Sequence, residues 1–166
     1  MKDLMKRNTK VALALCLAVL GTAVKARADC QNVFGRITET QIPAPNDPLG
    51  RSLANVDGVL NGANTAVITS SSPDGLNATS LDVFVTTRGD LLTATGAVTL
   101  TPIPGNSSDF TLYVTLTITG GSGKYTGATG TLTYQGQANV DAAGTFHVYA
   151  TYRGSVCGPN VKADGN

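Results

Sequence analysis

Hydrophobic and polar side chains alternate along much of the chain with a period of two. Residues 109–119 show the pattern most clearly, because Phe, Leu, Val or Ile occupies each even position and Thr or Tyr most of the odd ones. Residues 92–100, 132–138 and 145–156 repeat it. Helical spacing of apolar side chains is not seen after residue 28. Such alternation predicts β-strands with one buried and one wetter face.

Four further segments fit strands less clearly, at residues 33–41, 53–60, 65–70 and 81–88. Turn signals rich in Gly, Pro, Asn and Asp separate the segments, and most connections are short. Short links favour an antiparallel meander, because parallel strands need long crossovers. The sequence therefore predicts an all-β fold, an eight-stranded antiparallel closed β-barrel filled by side chains or by one small ligand. A two-sheet sandwich is the main alternative.

The first 28 residues have the features of a secretory signal peptide. Residues 1–10 are basic, residues 11–20 are apolar, and Ala26-Arg27-Ala28 supplies the small side chains that signal peptidase recognises. The apolar run is shorter than the roughly 20 residues of a membrane anchor. We therefore predict that residues 1–28 are cleaved and that the protein is secreted or periplasmic.

Cleavage would change the charge of the chain. The whole sequence has a net charge of +1, whereas residues 29–166 carry six basic and ten acidic side chains, a net charge of about −4. Without a basic stripe, no nucleic-acid partner is expected. No second hydrophobic span follows, so we predict one domain over residues 29–166 with no membrane span.

Two cysteines, Cys30 and Cys157, lie near opposite ends of the mature chain. Disulfides persist outside the cytoplasm, so we predict a bond between them that places the first and last strands side by side. In the chain-entropy model a loop of this length stabilises by up to about 5 kcal/mol. Free thiols or a metal pair are the alternatives, but only His147 is left to complete a metal site. We expect no metal and no cofactor.

A glycine-rich segment, GGSGKYTGATG at residues 120–130, follows the clearest strand. Its glycines permit positive φ angles and close approach of the backbone, and Tyr125 can fold back over the end of a core. We interpret the segment as a structural corner. The residues and spacing fit neither a phosphate-binding loop nor a dinucleotide fingerprint.

This segment resembles a signature of the allene oxide cyclase-like and dirigent-like β-barrel superfamily, GGTG-(R/K)-(F/Y)-x-G-A-x-G. The resemblance extends over residues 80–156 and implies an eight-stranded antiparallel barrel with an apolar lumen, often assembled as a trimer. Plant members of the superfamily steer radical coupling or cyclise an unstable epoxide. The resemblance assigns no catalytic residue to this chain. The motif positions are Gly120, Gly121, Gly123, Tyr125, Gly127, Ala128 and Gly130.

Few side chains suggest catalysis. His147 is the sole histidine, and its strand parity places it opposite Phe146 and Val148, which favours a surface position over a catalytic one. Asp74 and Asp82 are isolated in sequence and lack the spacing of a calcium loop. We therefore predict no catalytic residue and no strong catalytic machinery, although an isomerase or cyclase activity stays open.

Three residues are candidates for ligand binding. Glu39 has the strand parity of the apolar Val33 and Ile37, and Tyr134 and Tyr152 lie on the apolar faces of their strands. A carboxyl group and two phenols at the mouth of a barrel would bind or protonate a small, partly apolar molecule. The alternative is that Glu39 is solvated beyond the barrel and that both tyrosines pack in the core.

The outer faces bear on assembly. Tyr113 and Tyr149 lie among threonines on weakly charged strand faces that meet either water or another subunit, so a homo-oligomer, dimer or trimer, is expected. Our first functional hypothesis is a secreted barrel that binds or scaffolds a small apolar molecule. The alternatives are a dirigent- or cyclase-type isomerase and an extracellular structural module.

Overall fold

In the computed structural model, which describes residues 29–42 and 49–162, eight strands follow one another around a closed barrel. Each strand pairs antiparallel with the next, and the last pairs with the first. The strands are β1 (Asp29–Ile42), β2 (Arg51–Gly58), β3 (Gly62–Ser71), β4 (Asn77–Thr86), β5 (Leu91–Ile103), β6 (Asn106–Gly121), β7 (Thr129–Val140) and β8 (Phe146–Gly158). The predicted fold is confirmed, and the sandwich alternative is wrong.

Two of the predicted strand limits are wrong at their C-terminal ends. The segment predicted at residues 53–60 ends at Gly58, and Leu60 lies in the following turn, where it is completely buried. The segment predicted at 81–88 ends at Thr86, and Arg88 lies in a turn whose Gly89 has a φ of 84°. The predicted signal peptide lies outside the described residues.

The disulfide between Cys30 and Cys157 is confirmed. The two residues are direct partners across the β1–β8 pair, and their sulfur atoms are 2.06 Å apart. The bond therefore joins the strands that close the barrel. A disulfide is consistent with a location outside the cytoplasm. The described residues include no helix that has the length and apolar character needed to cross a membrane.

The barrel has two unlike ends. We call the end that carries the β2–β3, β4–β5 and β6–β7 connections the closed end. There, side chains from the strands, the connections and the segment after β8 fill the interior: Leu60, Tyr125 and Val161 are at most 2% exposed. The opposite end, which carries the β1–β2, β3–β4, β5–β6 and β7–β8 connections, we call the open end.

The glycine-rich segment forms a corner at the closed end. After β6 the chain makes a short 3-10 helix, Gly123–Tyr125, and Gly123 has a φ of 61°, which disfavours other residues. A Cβ at Gly123 would lie 2.0 Å from Asp90 Oδ1, the atom that accepts a 3.0 Å hydrogen bond from the Lys124 amide. This geometry turns Tyr125 into the core.

Candidate binding cavity at the open end

A cavity of about 280 Å³ lies inside the open end of the barrel. All eight strands contribute side chains to its wall. Deeper along the same strand faces, Leu116 and Leu132 are completely buried, so the cavity stops at the filled half of the barrel. The volume is close to the lower limit of typical ligand pockets, about 300 Å³.

The wall of this cavity is apolar on one side and polar on the other. The half formed by β5–β8 presents aliphatic and aromatic side chains, mainly Val98, Leu100, Leu112, Val114, Phe146 and Val148. The half formed by β1–β4 carries a set of inward-facing polar side chains that we call the polar strip. The polar strip consists of Glu39, Ser52, Ser80 and Asp82, which line the cavity, and of the buried Asn64, which lies deeper on β3.

Glu39 is the member of the polar strip on β1. It is partly exposed, and it faces the cavity as its parity with the buried Val33 and Ile37 predicts. The Ser52 hydroxyl donates a short hydrogen bond to Glu39 Oε1. Burial raises the pKa of Glu39 to about 7, against the effect of this hydrogen bond and with a smaller contribution from the charge of Asp82.

Asp82 is a second carboxyl group in the same wall, and it is 4% exposed. The Ser80 hydroxyl donates to Asp82 Oδ2 at 2.6 Å, and the Asn64 amide donates to Oδ1 at 3.3 Å. Burial raises the pKa of Asp82 to about 6, although both hydrogen bonds lower it. Gly96 on the neighbouring strand leaves room for this group, because a Cβ there would lie 2.2 Å from Ser80 Oγ.

Tyr134 lines the cavity from β7. Its side chain is 3% exposed, and its hydroxyl has no hydrogen-bond partner among the described residues. Burial, together with the charges of Asp82 and Glu39, raises the pKa of this phenol well above its ordinary value. The Tyr134 hydroxyl therefore stays protonated near neutral pH, within the wall of the cavity.

Tyr152 has a different environment. Its hydroxyl donates to the Asp57 carbonyl and accepts from the Leu60 amide, both at 2.9 Å, which fixes the β2–β3 turn to β8. Its ring packs edge-to-face against Tyr134, with centroids 6.3 Å apart. The structure thus places both Glu39 and Tyr134 in the cavity wall. Tyr152 packs against Tyr134 but does not line the cavity. Ligand binding by these residues stays a prediction.

Asp82 is the functional candidate that sequence reasoning missed. In β4 the apolar Leu81 and Val83 face outward, so a reading that puts apolar residues inside places Asp82 on the surface. The deciding signal is Phe84, which is completely buried and sets the inward parity for Ser80 and Asp82.

His147 lies at the rim of the open end, on the outward parity that was predicted. Its Nε2 donates to Asp141 Oδ2 at 3.0 Å, and its Nδ1 lies 3.2 Å from the Thr40 hydroxyl. Asp141 also accepts hydrogen bonds from the backbone of its own turn. These contacts stabilise the β7–β8 turn. Within residues 29–42 and 49–162, no three His, Cys, Asp or Glu residues are placed to hold a metal ion.

Comparison with solved structures finds a similarity to a pterocarpan synthase dirigent protein. The match has a TM-score of 0.32 and 11% sequence identity, and it covers 84% of this chain and 90% of that one. No protein-family model matches the sequence, and a search of curated proteins finds no match. The likeness concerns the fold alone. The closed eight-stranded barrel is the fold that the dirigent-like resemblance of residues 120–130 implies.

Proposed function

We propose that this protein binds a small, partly apolar ligand in the open-end cavity and acts outside the cytoplasm as a binding or scaffolding protein. The observation that carries the proposal is the composition of the cavity wall, in which the buried carboxyl group of Asp82 and the half-buried one of Glu39 face an apolar surface. Burying carboxyl groups costs free energy, and proteins concentrate such groups at functional sites.

The closed end supports this proposal. There the chain fills the same barrel with Leu, Val, Phe and Tyr side chains, so its sequence is able to build a tightly packed interior. At the open end, small residues such as Ala66 and Ala78 stand on the cavity wall instead. Space combined with a few convergent polar groups is typical of a small-molecule site.

A second candidate function is a guide or cyclase for a reactive small molecule. Glu39 favours it, because a carboxyl group whose pKa is about 7 is able to donate a proton near neutral pH. Tyr134 adds a neutral phenol to the wall from β7, because its raised pKa keeps the hydroxyl protonated. In this function the apolar wall holds the substrate in one conformation and excludes water.

Filling the cavity tests the proposal. Ala66→Leu adds three carbon atoms at an inward position between Ser52 and Asp82. We expect this variant to show no thermal stabilisation by any member of a library of small aromatic and aliphatic compounds. Ala97→Leu, at an exposed position on β5, is the matched control and should respond like the wild type. Equal responses from wild type and Ala66→Leu would refute binding in the cavity.

Glu39→Gln separates the two candidate functions. A binding protein returns the identified ligand unchanged, and the substitution alters only affinity. A guide or cyclase converts it, and loss of the acidic proton slows the conversion by about 100-fold or more. Product analysis by chromatography and mass spectrometry on wild type and Glu39→Gln distinguishes these outcomes.

We also propose that copies of this chain associate as a dimer or trimer. Large apolar side chains are exposed on the outer face of β2–β4, including Leu53 at 52% and Leu81 at 51%, and Tyr113 and Tyr149 are exposed elsewhere on the barrel. Sedimentation equilibrium at micromolar concentration should give a dimer or trimer mass that Leu81→Asp reduces. A single barrel mass for the wild type would contradict association. If copies of the chain associate but no small molecule binds in the cavity, the results would instead favour a structural module.

A further inference from the structure

The polar strip has more hydrogen-bond acceptors than donors left for a ligand. The Ser52 hydroxyl already donates to Glu39, and the Ser80 hydroxyl and the Asn64 amide already donate to Asp82. A molecule that complements this wall must therefore bring hydrogen-bond donors.

No basic side chain faces these two carboxyl groups inside the cavity, as far as the described residues show. Arg51 is the basic residue of the lining. It precedes the inward-facing Ser52 on β2, so its strand parity directs its side chain outward. Arg51 also has an interaction of its own. His147 is paired with Asp141 at the rim. Among residues 29–42 and 49–162, the carboxyl groups of Glu39 and Asp82 thus have no cation to pair with, as buried carboxylates require.

The opposite wall defines the rest of the ligand. Leu100, Leu112 and Val114 offer an aliphatic surface, and the rings of Phe146 and Tyr134 border it. Aromatic rings attract cations through their faces and pack well against apolar groups. A cavity of about 280 Å³ restricts the molecule to a small one.

We propose that the cavity selects small organic cations, in which a primary or secondary ammonium group pairs with Glu39 and Asp82 while an apolar body lies against the β5–β8 wall. The inference rests on the proposed binding function and specifies its ligand class. An ammonium group supplies both the missing positive charge and several N–H donors. An anionic ligand would meet two acidic groups that face no basic side chain in the described part of the cavity wall.

Three probes of similar size and shape test this inference: phenethylamine, phenethyl alcohol and phenylpropanoate. Isothermal titration calorimetry on the mature protein at about pH 8 should give an affinity for the amine at least tenfold higher than for the alcohol, since hydrogen bonds to charged groups are the stronger ones. The carboxylate should bind more weakly than the alcohol. Lowering the pH to about 5 should weaken amine binding by about tenfold, because protons then compete for Glu39 and Asp82.

Variants of the two carboxyl groups test where the amine binds. Glu39→Gln and Asp82→Asn should each lower the affinity for the amine by about tenfold and leave that for the alcohol within about twofold. Asp57→Asn removes a negative charge from an exposed position on β2 and is the matched control, with both affinities unchanged. The thermal midpoint of each variant verifies folding.

The outcomes separate this inference from the function on which it rests. Equal binding of alcohol and amine by the wild type would overturn selectivity for cations and leave ligand binding intact. Failure of all three probes, and of a wider library, to bind would overturn both. If Asp57→Asn and Glu39→Gln lost the same amount of amine affinity, the overall charge of the protein would explain amine binding. That result would contradict the assigned site.

Discussion

The closed and open ends of the barrel are built from the same strands and have opposite contents. At the closed end the inward positions hold large apolar side chains, and even the turn residue Leu60 is buried. At the open end, β1–β4 turn Glu39, Ser52 and Asp82 inward and leave a cavity. The comparison fits the proposed function, in which the closed end provides stability and the open end binds the ligand.

The two halves of the wall differ as well. In β6 the inward residues are apolar and the outward ones mostly threonine, the expected pattern for a barrel strand. In β4 the pattern is reversed over residues 80–83, with Ser80 and Asp82 inside and Leu81 outside. A reversal of this kind costs stability in an isolated barrel, because it buries polar side chains and exposes apolar ones. The proposed ligand and the proposed association would offset this cost.

The largest expected effect is at the closed end. Tyr125→Ala removes a completely buried ring that plugs the barrel, and we expect the free energy of unfolding to fall by about 3–5 kcal/mol. Tyr125→Phe is the control, because the Tyr125 hydroxyl has no partner among the described residues and its loss should be nearly neutral or stabilising. Urea unfolding measures both. A Tyr125→Ala variant as stable as the wild type would contradict the assigned role of this end.

The disulfide should have the next largest effect. Replacing Cys30 and Cys157 together by Ser should lower the free energy of unfolding by about 2–5 kcal/mol, since the bond closes a loop with a sequence separation of 127. The reduced wild-type protein should behave like the double variant in urea unfolding. A loss well below 1 kcal/mol in both would show that pairing of β1 with β8 needs no covalent support.

At the open end, stability should depend on pH through Glu39. Its pKa is raised from 4.5 to about 7, so the folded state holds more protons than the unfolded state between these values, and stability falls as pH rises across that window. The fall due to Glu39 should amount to about 2–3 kcal/mol and level off above pH 7. Asp82 acts in the same direction, up to about pH 6.

Glu39→Gln should remove the upper part of this dependence. Urea unfolding at several pH values between about 4 and 8 should show a shallower decline for the variant than for the wild type. Asp57→Asn, which changes an exposed carboxyl group, should follow the wild type. Parallel curves for wild type and Glu39→Gln would mean that Glu39 is solvated.

Tyr152 should give the smallest of these effects. Tyr152→Phe leaves the Leu60 amide and the Asp57 carbonyl without their hydroxyl partner, so we expect a loss of about 1–2 kcal/mol. Because Tyr152 does not line the cavity, ligand affinity should remain within about twofold of wild type. A loss of affinity in Tyr152→Phe larger than in Tyr134→Phe would reassign Tyr152 to the binding site.

Much of the fold was predictable from the sequence, because the alternation in β6 and β8 is a local signal, and Cys30 and Cys157 are the two cysteines of residues 29–166. Parity also placed Glu39 inside. Asp82 was not predictable in the same way, because its apolar neighbours in β4 face outward and only packing around Phe84 decides the orientation. The hydrogen bonds of the Tyr152 hydroxyl could not be predicted either. Its partners, Leu60 and Asp57, are separated from it by 92 and 95 positions in the sequence.

Chemical-shift mapping tests the central claim most directly. The isotope-labelled protein is titrated with the three phenyl probes, and amide shifts are assigned along the chain. We predict saturable shifts around the cavity, at Ser52, Ala66 and Asp82, with none in the closed-end turns at residues 59–61 and 122–128. The absence of saturable shifts, or shifts confined to the outer face of the barrel, would contradict a binding site at the open end.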